Sequence, residues 1–135
     1  MRSPRRRLLA LATVAGVVAA LATPAGAQAA GWDLNGSGAG VVGAHASGTV
    51  VKEAGGWVRI TATLKDTDRN DGKQARVKLT FLPDGRQGTQ KVITTSSTET
   101  YSHRYGDLNS IDAIECVVRA GSEHCGANEV TIWSR

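Results

Sequence analysis

The sequence contains no apolar run of the roughly twenty residues that a helix needs to cross a bilayer. Its longest such run, residues 8–21, is about fourteen residues long, broken only by Thr13 and Gly16. Arg2, Arg5, Arg6 and Arg7 precede that run, and the small-x-small site Ala27-Gln28-Ala29 follows it. Residues 1–29 therefore read as a secretory signal peptide rather than an anchor, which predicts a secreted protein with no membrane partner. Charge of one sign is also missing. The excess of 16 Lys and Arg over 12 Asp and Glu lies wholly in the four signal arginines, so the rest of the chain is formally neutral. A neutral domain lacks the cationic surplus that displaces counterions from a phosphate backbone, which argues against a nucleic-acid partner.

Other absences bear on chemistry. There is no Gly-x-Ser-x-Gly elbow and no His-Glu-x-x-His pair, and the acids show no spacing that marks two of them as a hydrolytic pair. His45, His103 and His124 fall on three separate predicted elements, so spacing alone does not bring them together. The expectation is a protein without a catalytic site or cofactor. Cysteine is scarce, and Cys116 and Cys125 have only His124 nearby as a third ligand, too few for a zinc site. In an exported chain the two pair by default as one disulfide, with only one connectivity possible. No metal site is expected there.

What the sequence does contain is period-two alternation. Val58, Ile60, Ala62 and Leu64 alternate with Arg59, Thr61, Thr63 and Lys65; Ala75, Val77, Leu79 and Phe81 alternate with Gln74, Arg76, Lys78 and Thr80. Turn signals at residues 53–56 and 83–85 bound these strands. Thr-rich strands are expected near residues 89–95 and 100–105, and a last strand near 129–134. Ile114, Cys116 and Val118 read as an inward-facing set. If Cys116 and Cys125 oppose each other, a hairpin follows with Ala120-Gly121 at its turn. No stretch has a convincing helical period. About seven short strands in a domain spanning residues 41–135 predict an all-β, antiparallel, immunoglobulin-like sandwich with one disulfide.

Before that domain, residues 30–40 hold four glycines with Trp32 and Leu34 as the large apolar groups. So flexible a segment reads as an extended amino-terminal arm outside the core. Its unpaired backbone and the side chains of Trp32, Leu34, Val41 and Val42 suit strand addition to a partner protein, against the alternative of a disordered terminus. A second binding surface is offered by Tyr101, His103 and Tyr105, which alternate along one strand and suit a carbohydrate or a protein partner. Asp66, Asp68 and Asn70 sit at positions one, three and five of a calcium-loop pattern, but Asp71 replaces its glycine and Val77 its final Glu. Asx-bonded turn and loose calcium loop both remain readings of that segment.

The arginine-rich signal, the glycine-rich start, the Lys65-Asp66-Thr67 strand end followed by Asn70-Asp71-Gly72, and the unit from Cys116 to Cys125-Gly126 before a last strand at Trp133 resemble the small secreted β-sandwich proteins of actinomycetes. Within that group the layout is similar to the small linking (adaptor) subunit of umbrella toxin particles. The resemblance implies an adaptor in an exported toxin complex, with the amino-terminal segment inserting into a larger partner.

Overall fold

The computed structural model describes residues 28–135, so nearly all of the segment read as a signal peptide, residues 1–27, lies outside the described residues. Among the described residues nine strands form two antiparallel sheets. Sheet A has the order β1 (Gln28–Asp33), β2 (Ala44–Lys52), β3 (Trp57–Asp66), β6 (Thr98–Gly106). Sheet B has the order β5 (Thr89–Thr95), β4 (Gln74–Pro83), β7 (Leu108–Arg119), with both β8 (Ser122–Cys125) and β9 (Val130–Ser134) pairing the far side of β7. The chain is an all-β sandwich with no α-helix among the described residues. No helix there is long and apolar enough to cross a membrane.

The core lies where the alternation puts it. Val58, Ile60, Ala62 and Leu64 of β3 and Ala75, Val77, Leu79 and Phe81 of β4 are all buried between the sheets. Burying such side chains supplies about 1.5–3 kcal/mol each for the larger ones, the main force holding the layers together. The Cys116–Cys125 disulfide is present in the expected hairpin, with Val117 opposite His124, Val118 opposite Glu123 and Arg119 opposite Ser122. At its turn both Ala120 and Gly121 have positive φ, 47° and 80°, as the twist-matched two-residue turn requires.

Two expectations are corrected. The inward set of β7 is Ile111, Ala113, Glu115 and Val117, opposite Phe81, Leu79, Val77 and Ala75, not Ile114, Cys116 and Val118. The alternation misleads because both faces of β7 are covered. On the outer face the disulfide shields Cys116, and Glu123 accepts from Arg76 and Lys78 beside it. Glu123, awkward if Val118 faced the core, thus shares with Val118 the outer, ion-paired face.

The other correction concerns residues 30–40, which are not an arm outside the core. Gln28–Asp33 pairs along β2, and Trp32 and Leu34 are 8% and 1% exposed. Trp32 fits because its register partner is Gly48. A Cβ at Gly48 would stand 1.9 Å from the Thr61 carbonyl oxygen and 3.0 Å from the indole ring. Beyond β1 the chain is tied down by turn bonds, Ser37 N–H to Leu34 O and Gly40 N–H to Ser37 O, and Glu115 N–H donates to Ala39 O. Glycine content measured the entropy of this segment but not the backbone partners that offset it. The packed unit therefore starts within Gln28–Asp33 instead of at Val41, and Gln28 and Ala29 of that strand overlap the end of the segment read as a signal peptide.

Candidate functional site

Of the four residues expected to grip a partner, Trp32 and Leu34 are in the core, and Val41 is half-buried against it. Val42 is 95% exposed, the most exposed large apolar side chain among the described residues. It stands on the rim of a cavity of about 440 Å³ lined by Asn35, Ser37, His45, Thr67 and the Gly40–Gly43 backbone, with Glu115 in its wall. His45 Nε2 lies 2.9 Å from Asp33 Oδ1. The Asn35 N–H and then His45 hold the Asp33 carboxyl below its usual value.

The wall of this cavity is set by a residue that the alternation did not single out. Glu115 is 1% exposed, and its oxygens accept the N–H of Val41 at 3.0 Å and of Ala46 at 2.6 Å. Burial pushes its carboxyl up, while those two N–H groups pull the other way. A carboxylate on sheet B thus fixes the backbone that leads from β1 into β2 on sheet A. In the sequence the only trace of it is an acid in the middle of an apolar run.

Tyr101, His103 and Tyr105 do share one face of β6, as their spacing predicted. That face turns toward the seam between the edges of the two sheets rather than straight out to water. Tyr105 stacks on Phe81 with ring centroids 4.0 Å apart, its hydroxyl is 2.7 Å from that of Tyr101, and Lys91 of β5 lies 5.3 Å from the centre of the Tyr101 ring. Burial, and then the Tyr101 hydroxyl, push the Tyr105 phenol upward. His103 is exposed, 4.8 Å from the Tyr105 ring. With one face of Tyr105 on Phe81 and a cation over Tyr101, the pair offers little free ring surface for a sugar to stack on. Trp57 is 43% exposed on the outside of sheet A, where the Arg104 guanidinium lies 4.8 Å from its ring.

The acidic segment is closed by Asx turns. Asp66 Oδ1 accepts the Asp68 N–H at 3.0 Å and Asp71 Oδ1 accepts the Lys73 N–H at 2.8 Å. Asp66 and Asp68 belong to no converging group of three His, Cys, Asp or Glu side chains among the described residues. Among the described residues the one group of metal-type side chains that does converge is Cys116, Glu123 and Cys125, whose sulfurs are spent in the disulfide. No family model matches this chain, and neither a curated protein nor a solved structure matches it.

Proposed function

We propose that this is a secreted, non-catalytic binding protein that joins a partner protein at its amino-terminal edge, as an adaptor in an exported assembly. The observation that carries this reading is Val42, an aliphatic side chain 95% exposed on the rim of a roughly 440 Å³ cavity. A lone exposed valine costs little by itself; beside a preformed hollow with a mixed polar and apolar wall it is a knob next to a hole. The edge of β1 away from β2 has no strand partner among the described residues, so its backbone is available to an added strand. In this form the partner meets a folded edge, and Trp32 and Leu34 hold that edge in place instead of inserting into the partner. The resemblance to the linking subunit of umbrella toxin particles supports the same direction and suggests a large secreted partner.

The test is capture from culture medium by the carboxyl-terminally tagged protein, with Val42→Asp as the control. The substitution should remove the captured partners and leave the melting temperature within about 1 °C, since an exposed site carries little stability. Equal capture by Val42→Asp overturns the proposal, as does retention on insoluble polysaccharide with no protein partner.

A further inference from the structure

The opposite edge of sheet A is β6, nine residues long, which hydrogen-bonds β3 on one side and has no strand partner on the other among the described residues. Long open edges are usually blunted by proline, by charged side chains on the edge or turned inward, by Lys above all, or by shortness. Edge strand β5 carries such a cation, Lys91, whereas β6 contains no proline and no Lys. Its seam-facing residues are instead Glu99, Tyr101, His103 and Tyr105, in register with Leu64, Ala62, Ile60 and Val58 of β3. Its outward residues are Thr98, Thr100, Ser102 and Arg104. One strand therefore carries an acid and a base on the same face, four residues apart, with a tyrosine midway between them.

We propose that two copies of this chain pair β6 with β6, antiparallel about a two-fold axis at Tyr101, to form one continuous eight-stranded sheet. Two-fold pairing of identical strands requires residues on the same face to oppose each other. Centring on Tyr101 places Glu99 opposite the partner's His103, and His103 opposite the partner's Glu99. Thr100 meets the partner's Ser102, and Thr98 meets the partner's Arg104. No like charges oppose one another. Among the other centres from Glu99 to Arg104, Glu99, His103 and Arg104 set two identical ionisable groups side by side, and Thr100 and Ser102 give no charge pairing at all. The sequence of β6 is thus complementary to itself in one register. Lys91 is the remaining charge at this seam, positioned over Tyr101.

The proposal is independent of the one above, because β1 and β6 are opposite edges of sheet A. A dimer through β6 leaves both β1 edges free, so an adaptor built this way presents two partner sites.

Light scattering and sedimentation of the purified exported protein, from micromolar to near-millimolar, test it. The expected result is a concentration-dependent monomer–dimer equilibrium. Glu99→Lys and His103→Glu should each weaken dimerisation about tenfold, the first by removing the acceptor that faces each imidazole and the second by setting two carboxylates against each other, and the double variant should restore it. Both positions are exposed, so the fold should survive either change. Tyr101→Cys should give a covalent dimer on mild oxidation and Ser102→Cys should not. A monomer at every concentration overturns the proposal, as does a dimer indifferent to Glu99→Lys or one cross-linked through Ser102→Cys. Loss of partner capture in Val42→Asp with the dimer intact separates the two readings.

Discussion

At the scale of single residues the decisive group is Glu115, a carboxylate with two backbone donors and almost no contact with water. Gly40 is part of the same arrangement, because a Cβ there would stand 2.6 Å from the Leu34 carbonyl oxygen and 3.6 Å from Glu115 Oε2. Replacing Glu115 by Ala leaves the buried N–H of Ala46 and the part-buried N–H of Val41 without an acceptor, and at about 1–3 kcal/mol for a buried unpaired donor and less for a part-buried one this should cost about 2–4 kcal/mol in urea denaturation. Gln keeps one oxygen acceptor and should fall between Ala and the parent. The pH dependence has a definite sign. Burial holds the carboxyl above its ordinary value of 4.5, so the folded state binds that proton more tightly than the unfolded state does. This contribution is most favourable with the carboxyl protonated, and it declines as pH rises from the unfolded value through the raised folded one. Glu115→Gln should remove that slope; a slope unchanged in the variant assigns it to another group. Neither the role of Glu115 nor its burial was legible, because an acid within an apolar run reads as the solvent face of a strand until its backbone donors, about seventy positions away in the chain, are known.

Among the elements, β3 and β4 were legible because each has one wet face and one dry face, the condition under which period two reports burial. The strand β7 has no such contrast, since sheet B runs on past it and its outer face lies under the disulfide and the Glu123 ion pairs. The failure at β1 has another cause, glycines that serve close packing in place of freedom. The two readings of β1 differ in what Trp32 contributes. As a core residue, Trp32→Ala should cost about 3–5 kcal/mol, whereas in a detached arm it would cost nothing. Trp32→Phe is a sharper probe. The indole Nε1 is buried without a hydrogen-bond acceptor, so removing that donor offsets lost ring area and should leave stability within about 1 kcal/mol of the parent. Thermal unfolding of the two variants distinguishes strand from arm directly.

For the whole molecule, the one covalent cross-link closes only the short hairpin from Cys116 to Cys125, at a sequence separation of nine. In the chain-entropy account so small a loop contributes about 2–3 kcal/mol, so Cys116→Ser should fold to the same sandwich with that much less stability in denaturant titration. Two reactive thiols in the purified parent protein would remove the basis of this expectation. The remaining order is long-range. Sheet A takes its fourth strand from Thr98–Gly106, after the chain has visited sheet B for β4 and β5, and sheet B cannot join β4 to β8 or β9 until Leu108–Arg119 lies between them. The strand that closes this gap also carries the carboxylate that fixes the first loop. A nascent chain that ends before β7 therefore has two incomplete half-sheets and a loop with nothing to hold it. Such a chain exposes unpaired strand edges and apolar faces, and it stays open to proteases and holdase chaperones until its last third has been made.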